Sequence, residues 1–202
     1  AHGQPQRVLN TKRSKSGKTL TLTIDAQLQK AAYKAFGNIS GAAVVIHPPT
    51  GEVLALISTP SMDANLWAQG MSQKQYHALT TAPNRPLFNR AISGQFPPAS
   101  TLKPFFALSA LKHGAITTKT RVHDPGYFIL PGTEHRFRDW LATGHGNPNL
   151  IEAIVFSCDT YFYHLGNQMG AAFLEEALKP FGIGQKPQID LPNARSGILN
   201  TP

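Results

Sequence analysis

The stretch GQFPPASTLKPFF, residues 94–106, places two consecutive prolines shortly before a serine and opens an apolar run that continues to Leu111. Such a run predicts a helix with a buried face. Proline suits the first turn of a helix and not its interior, so Pro104 predicts that this helix begins at about Ser100 or Thr101. We take this helix as the element around which the rest of the chain folds.

Ser100 and Lys103 are three positions apart in the predicted helix, so their side chains lie on the same face. A serine hydroxyl becomes a nucleophile when a neighbouring base takes its proton. A lysine whose pKa is lowered by desolvation or by nearby positive charge can act as that base. The S-x-x-K spacing therefore makes Ser100 a candidate nucleophile and Lys103 its candidate base. Serine and lysine also meet at this spacing by chance on many exposed helices. The pair alone therefore does not exclude an ordinary solvent-exposed helix without a catalytic function.

The composition predicts a globular chain with a sizeable core, because 41% of the 202 residues are hydrophobic and only 15% are charged. No apolar run approaches the roughly 18 residues of a membrane span. The net charge of +8 suits an anionic partner. No recognised nucleic-acid-binding motif accompanies that charge, so we expect no nucleic acid partner. Cys158 is the only cysteine, which excludes an internal disulfide.

The chain divides by composition into a short polar start and a long mixed remainder. Residues 1–19 are rich in lysine, serine, glycine and glutamine with little periodicity, and we interpret them as a linker or a remnant of a preceding N-terminal domain. The first residues look like a cut into a longer protein. Residues 20–202 are predicted to form one domain portion that mixes helices and strands.

The first part of that portion predicts a strand, a helix and a hairpin. Alternating residues over 20–24 favour a short strand, and Asp25 is a good N-cap for a helix over 26–36. Two apolar runs, 42–46 and 53–58, are joined by Pro-Pro-Thr-Gly and predict a β-hairpin. Because both runs are nearly all apolar, we expect a sheet that is covered on both faces.

Later segments predict short helices at 72–79, 150–156, 160–169 and 173–178. Between them, residues 117–149 are rich in proline and glycine and predict a long loop. A loop of that length usually has a function or a structural anchor.

Nine segments, spread in order over nearly the whole chain, match a known family. They are 22–29, 43–45, 50–55, 89–91, 98–104, 124–126, 138–140, 144–146 and 157–163. By these segments the chain resembles the transpeptidase domain of class B penicillin-binding proteins, most closely the elongation-type penicillin-binding protein 2 group. The resemblance implies an α/β (α+β) penicillin-binding protein/β-lactamase-like fold, with a mainly antiparallel sheet and a helical subdomain.

The resemblance also indicates what the chain lacks. The S-x-x-K box and an S-x-D form of the second box are present, whereas the family's Lys-Thr-Gly box is missing from these residues. Arg195-Ser196-Gly197 is a poor substitute, because it lies in a turn rich in proline and asparagine rather than in a strand. We therefore expect 20–202 to be the N-terminal portion of a transpeptidase domain, with weak or no activity by itself.

The reaction that the resemblance implies is D,D-transpeptidation of peptidoglycan through a serine acyl-enzyme. Ser100 would attack the D-Ala-D-Ala carbonyl of a stem peptide, with Lys103 as the base. Ser157 would pass protons to the leaving group, and Asp159, where the family more often has asparagine, would accept a hydrogen bond from Lys103. β-Lactams would acylate Ser100 because they imitate the D-Ala-D-Ala terminus.

Four further residues offer metal-ligand atoms: Asp124, Asp139, His145 and Cys158. Each has an ordinary alternative as a turn residue, an ion-pair partner, a loop histidine or a small buried side chain. Their spacing alone is weak evidence, because structural zinc sites usually carry more cysteine and histidine. Thiolate, imidazole and carboxylate together do suit Zn²⁺, and the long loop needs an anchor. The resemblance implies a structural zinc on this set, behind Ser157 and Asp159.

The resemblance places the parent protein at the periplasmic face of the bacterial inner membrane, with its anchor outside these residues. It implies partners among the elongation machinery that maintains rod shape, including a membrane-embedded glycan polymerase. Two alternatives remain open: a β-lactamase or D,D-carboxypeptidase on the same fold, and a penicillin-sensing or non-catalytic interaction domain.

Overall fold

The computed structural model describes residues 10–199 and separates into two compact units, which meet in sequence between Ser61 and Met62. The first unit contains α1 (Ala26–Phe36), β1 (Gly41–His47) and β2 (Glu52–Thr59). The second contains α2 (Asn65–Gln69), α3 (Gln73–Thr81), α4 (Arg90–Ser93), a 3₁₀ turn (Ala99–Leu102), α5 (Lys103–Lys112), β3 (Tyr127–Ile129), β4 (Arg136–Arg138), α6 (Leu150–Val155), α7 (Asp159–Met169), α8 (Ala171–Leu178) and a 3₁₀ turn (Lys179–Phe181). None of the described helices combines the length and apolar character that a membrane crossing needs.

In the first unit, the predicted helix and hairpin are confirmed. Asp25 caps α1, since its carboxylate accepts the backbone N–H groups of Gln27 and Leu28 at 2.8 and 2.9 Å. Strands β1 and β2 pair antiparallel, from Gly41 opposite Thr59 to His47 opposite Glu52. Helix α1 is fixed to β2 by its Gln29 amide, which donates to the carbonyl of Leu56 and accepts the N–H of the same residue.

Two expectations for this unit are wrong. Residues 20–24 form no strand, because their bonds to β2 are isolated ones rather than a ladder: the Thr23 hydroxyl donates to the carbonyl of Val53. The sheet is also not covered on both faces. In the described residues it has two strands, and Val44 and Ile46 of β1 are 41% and 52% exposed. Residues 10–19 contain no helix or strand, and 1–9 lie outside the described residues, so their interpretation as a linker stays a prediction.

The second unit is built on α5, α6 and α7, which enclose a shared core. Its buried members are Ala107, Ala110, Ile116, Leu150, Ala153, Cys158, Tyr161 and Leu165. Helix α8 is tied to α5 by the Ser109 hydroxyl, which donates to the carbonyl of Ala177 at 3.0 Å. The helices predicted around α3, α6, α7 and α8 are confirmed within a few residues at each end. Antiparallel pairing in both sheets agrees with the expected α+β class.

Helix α5, which was predicted to begin at Ser100 or Thr101, begins later than predicted. Residues 99–102 form a 3₁₀ turn, and the α-helix starts only at Lys103. Pro104 has no N–H to give to the carbonyl of Ser100, which instead accepts the N–H of Lys103 in the tighter 3₁₀ pattern. The helix is buried on one side only, since Ala107 and Ala110 are buried and Leu108 is 54% exposed.

The predicted long loop contains a small hairpin that the sequence analysis missed. Strands β3 and β4 pair antiparallel, with Phe128 opposite Phe137. Isolated bridges join Arg121 to Asn149 and Asp124 to Gly146, so the two ends of the segment are held together. This segment carries three of the four predicted metal-ligand residues, Asp124, Asp139 and His145.

Candidate active site

The four predicted catalytic side chains meet at the junction between α6 and α7, and we call this group the polar site: Ser100, Lys103, Ser157 and Asp159. The ammonium of Lys103 donates to the carboxylate of Asp159 at 2.6 Å, to the backbone carbonyl of Ser157 at 2.7 Å and to the Ser157 hydroxyl at 3.2 Å. Lys103 is buried, with 8% exposure, while Ser100 is exposed to solvent. A buried lysine needs such partners, because an unpaired buried charge is costly.

Ser157 lies between Ser100 and Lys103. Its hydroxyl contacts the Ser100 hydroxyl at 2.9 Å and the Lys103 ammonium at 3.2 Å. Among the hydrogen bonds of the described residues, Lys103 reaches Ser100 through this hydroxyl. The S-x-x-K spacing did place Ser100 and Lys103 together, but it gave no signal that a third side chain would connect them.

Local backbone conformation aims these side chains. Ser157 has φ of 54° and Ala99, directly before Ser100, has φ of 49°, both in the left-handed region. Each such residue costs on the order of 1 kcal/mol for an L-amino acid. At Ser157 the turn ends α6 and directs the hydroxyl towards Ser100. Strain of this kind persists where the surrounding structure holds it, here through the N–H of Cys158, which donates to the carbonyl of Ala153.

A cleft of about 520 Å³ opens beside the polar site. Its lining combines Ser100, Lys103 and Asp159 with apolar side chains, among them Phe106 and Phe162. The Lys103 ammonium lies 5.5 Å from the centre of the Phe162 ring, which adds a cation–π contact. The cleft therefore offers an apolar wall next to the Ser100 hydroxyl.

The four predicted metal-ligand residues form a buried cluster: Asp124, Asp139, His145 and Cys158. Each offers one ligand atom, and these atoms all lie within 4.8 Å of one another. Nδ1 of His145 lies 2.8 Å from Oδ2 of Asp124 and 3.5 Å from Oδ1 of Asp139. The Cys158 thiol contacts Oδ2 of Asp124 at 3.3 Å and is fully buried. Cys158 thus points away from the cleft that Ser100, Lys103 and Asp159 line.

The charges in the buried cluster constrain one another. Burial alone raises the pKa of Asp124, but the His145 side chain and the N–H of Gly126 outweigh it and hold that pKa well below its usual range. Burial, together with the Asp124 carboxylate, raises the pKa of the Cys158 thiol to about 12, although the N–H of Tyr161 acts in the opposite direction. Without a cation, these contacts favour an ionised Asp124 carboxylate beside a protonated Cys158 thiol, whereas a bound divalent cation would favour the thiolate.

The donor set fits a small divalent cation that accepts sulfur, nitrogen and oxygen ligands. Nε2 of His145 is buried and has no hydrogen-bond partner among the described residues, while the ring stacks on Phe156 at 5.8 Å and contacts Trp140 at 5.4 Å. The ring is therefore held by packing, with Nδ1 directed at both carboxylates.

A family model described as "Penicillin binding protein transpeptidase domain" matches residues 41–202. This chain belongs to the penicillin-binding protein transpeptidase family. The peptidoglycan D,D-transpeptidase MrdA of Acinetobacter baumannii is 45% identical over 202 residues, which is 100% of this chain and 30% of that protein.

Solved structures of penicillin-binding proteins agree with this assignment. Pseudomonas aeruginosa PBP2 in complex with WCK 5153 matches with a TM-score of 0.83 and 43% identity, over 89% of this chain and 41% of that one. PBP2 in its complex with MreC from Helicobacter pylori matches with a TM-score of 0.81 and 38% identity, over 87% and 33%. The chain thus spans less than half the length of each of these penicillin-binding proteins.

Two contacts of this penicillin-binding protein domain escaped the sequence analysis. Trp140 donates its Nε1–H to the carbonyl of Phe156 at 2.9 Å, directly before the Ser157 turn. Asp139 accepts the backbone N–H groups of Asp159 and Thr160. Both contacts join residues far apart in sequence, so neither spacing nor periodicity signals them. Arg195-Ser196-Gly197 lies outside any strand, which agrees with its rejection as a third box.

Proposed function

We propose that this chain carries the serine nucleophile and the proton-transfer residues of a peptidoglycan D,D-transpeptidase. The observation that carries the proposal is the continuous hydrogen-bonded path from Lys103 through the Ser157 hydroxyl to the Ser100 hydroxyl. Membership of the transpeptidase family supports it. So does the 45% identity to a protein named as a peptidoglycan D,D-transpeptidase.

In the proposed reaction, the Ser100 oxygen attacks the carbonyl carbon between the two D-alanines of a stem peptide. The serine proton moves through the Ser157 hydroxyl to a neutral Lys103 amine. The amide C–N bond then breaks, and the terminal D-alanine leaves with a proton that returns along the same path. An amine of a second stem peptide attacks the acyl-enzyme and restores the Ser100 hydroxyl, which balances atoms and protons over the cycle.

Asp159 would assist by holding Lys103 in place through both conversions. Its carboxylate contacts the ammonium at 2.6 Å and is itself only partly exposed. A charge-assisted bond of this length fixes orientation as well as charge. The N–H of Ser100 would contribute to an oxyanion hole for the tetrahedral intermediate.

Labelling with a fluorescent penicillin tests the proposal. We expect covalent label on Ser100 in a full-length protein that carries this chain, and no label in the Ser100→Ala variant. The isolated 202 residues should label weakly. Rapid release of the hydrolysed penicillin would favour a β-lactamase, and a stable label in a protein that never cross-links stem peptides would favour a sensor. Label that persists in the Ser100→Ala variant contradicts the assignment of the nucleophile.

We propose that the buried cluster holds Zn²⁺ through one atom from each of its four residues. A bound zinc ion would supply a fixed divalent charge that joins the long loop to the start of α7. The convergence of thiol, imidazole and two carboxylates within 4.8 Å supports this proposal. Metal analysis of purified protein with and without Cys158→Ser tests it. We expect about one zinc per chain, strongly reduced in the variant, and no zinc in either sample contradicts it.

We further propose that the parent protein acts at the periplasmic face of the inner membrane, with partners in the cell-elongation machinery that include a glycan polymerase. The supporting observation is the likeness to a PBP2 that forms a complex with MreC. Cross-linking in growing cells, followed by identification of the linked proteins, tests these partners. Recovery of cytoplasmic proteins alone contradicts the proposed location.

A further inference from the structure

We infer that Asp139 is a positioning residue for acyl transfer, because one of its carboxylate oxygens accepts the backbone N–H of Asp159 while the other faces His145. This inference rests on the function proposed above. It concerns a role that is separate from metal binding: Asp139 sets the position of the residue that holds Lys103.

The two oxygens of Asp139 have different partners. Oδ2 accepts the N–H of Asp159 at 2.7 Å and the N–H of Thr160 at 3.1 Å. Oδ1 accepts the N–H of Leu141 at 3.1 Å and lies 3.5 Å from Nδ1 of His145. The side chain is fully buried, so water does not compete for these contacts.

These contacts matter because α7 has a weak cap of its own. The first N–H groups of a helix have no partner within it and are usually satisfied by a side-chain oxygen directly before the helix. In α7 that position is Cys158, whose sulfur accepts only the N–H of Tyr161 at 3.4 Å. Asp139 supplies the missing oxygen from another part of the chain, and its charge is favourable at a helix N-terminus.

The position of Asp159 follows from this external cap. Its backbone nitrogen is bound to Asp139 and its carboxylate is bound to Lys103 at 2.6 Å. Loss of the first contact frees the first turn of α7 to shift, and a small shift lengthens the second contact. Lys103 then keeps the Ser157 carbonyl and hydroxyl as partners but loses its charged one, so its amine is held less firmly next to that hydroxyl.

Asp139 is itself rigidly held, which a positioning role requires. It directly follows β4, and its N–H donates to the carbonyl of Gly126 at 2.9 Å. The β3–β4 hairpin thereby fixes the carboxylate, and Phe128 of the same hairpin packs its ring on Tyr163 and His164 of α7. The path from hairpin to active site runs through Gly126, Asp139, Asp159 and Lys103, and each step is a hydrogen bond.

The test compares Asp139→Ala and Asp139→Asn with Asp124→Ala, in the isolated chain and in a full-length protein that carries it. Asp124→Ala is the matched control: it removes another carboxylate of the buried cluster, one that contacts the Cys158 thiol, but leaves the bonds from Asp139 to the N–H groups of Asp159 and Thr160. Zinc content is measured in all variants, since the two alanine variants should lose metal alike. Thermal unfolding identifies any variant that fails to fold.

Amide hydrogen exchange is the readout that does not depend on catalysis or metal. In metal-free protein, exchange at Asp159 and Thr160 should be about ten- to hundredfold faster in Asp139→Ala than in the parent. In Asp139→Asn and Asp124→Ala it should change several-fold less, because the side chain at position 139 keeps an oxygen that accepts the N–H groups of Asp159 and Thr160. Equal acceleration in Asp139→Ala and Asp124→Ala overturns the inference.

The kinetics of penicillin labelling supply the second readout. They are separated into the affinity of non-covalent binding and the rate of the acylation step. We expect Asp139→Ala to slow the acylation step about tenfold or more beyond the effect of Asp124→Ala, with unchanged non-covalent binding. Asp139→Asn should restore most of the rate. If the parent protein takes no label at Ser100, the proposed function fails while the exchange experiment still decides the role of Asp139. Equal rates in the two alanine variants overturn that role.

Discussion

The two sides of the Ser157-Cys158-Asp159 turn differ in solvent exposure and in the kind of chemistry they allow. On one side, Ser157 and Asp159 are partly exposed and surround Lys103 at an open cleft. On the other side, Cys158 is fully buried in a cluster that pairs it with Asp124. Three consecutive residues thus divide between an open cleft and a buried cluster.

This difference explains why a single strained turn serves both sites. The φ of 54° at Ser157 separates its side chain from that of Cys158, so that alternate residues face opposite sides. The polar site depends on exact contacts between flexible side chains, whereas the buried cluster depends on backbone and packing. Changes on the exposed side should therefore reduce acyl transfer with little loss of stability. Changes on the buried side should mainly reduce stability, except at Asp139, which holds the N–H of Asp159 and should affect acyl transfer as well.

The largest effect is expected on the exposed side, for Lys103→Ala. In the proposed mechanism the Ser100 proton passes to this amine, so its removal should slow penicillin acylation by about 10²- to 10⁴-fold. Zinc content should not change, because Lys103 contacts no member of the buried cluster. Lys112→Ala, an exposed lysine in the last turn of the same helix, is the control and should label normally. Normal labelling of Lys103→Ala would show that another group is the base.

On the buried side, Gly144→Ala should cost about 3 kcal/mol or more of unfolding free energy. Gly144 has φ of 72°, and an added Cβ would meet the backbone of Asp124 and Gly126. Gly132→Ala is the matched control, since it has φ of 83° but open space around it, and it should cost about 1 kcal/mol. Denaturant unfolding measures both variants. Equal losses would mean that the close approach around Asp124 is not a constraint.

The parts of this arrangement that the sequence could predict are those with local signals. Asp25 precedes an amphipathic helix, and Pro-Pro-Thr-Gly separates two apolar runs, so the cap and the hairpin follow from neighbouring residues. Strands β3 and β4 have three residues each, and every residue of β4 is exposed, so they give no periodic signal. The 3₁₀ start of the Ser100 helix depends on one missing N–H at Pro104, which pattern analysis treats as an ordinary helix start.

The candidate site divides in the same way. S-x-x-K spacing identified Ser100 and Lys103, because i and i+3 share a helix face. The contact of Ser157 with both residues, and the bond from Asp139 to α7, join positions separated by tens of residues. Such contacts depend on how α5, α6 and the β3–β4 hairpin pack together. That packing cannot be read from any short stretch of sequence. The sequence therefore identified the candidate residues, and the folded structure showed which hydrogen bonds connect them.

A substitution at Ser157 should have opposite effects on acylation and on stability. Ser157→Gly removes the hydroxyl that bridges Ser100 and Lys103, and it also relieves the left-handed strain. We expect acylation to slow at least tenfold while unfolding free energy rises by up to about 1 kcal/mol relative to Ser157→Ala. Ser157→Ala keeps the strain and loses the hydroxyl, so it is the matched control. Equal stability of the two variants would indicate that the turn carries no strain.

The smallest effect is expected at Trp140, which touches both sides. Its ring contacts His145 of the buried cluster, and its Nε1–H bonds the carbonyl of Phe156 beside the turn. Trp140→Phe keeps an aromatic ring and removes the hydrogen bond, which should cost about 1 kcal/mol or less because the side chain is 64% exposed. Zinc content should stay constant and acylation should slow only a few-fold. Trp67→Phe, an exposed tryptophan in α2, is the control for ring exchange. A loss of zinc in Trp140→Phe would show that the indole, and not packing by any aromatic ring, holds His145 in position.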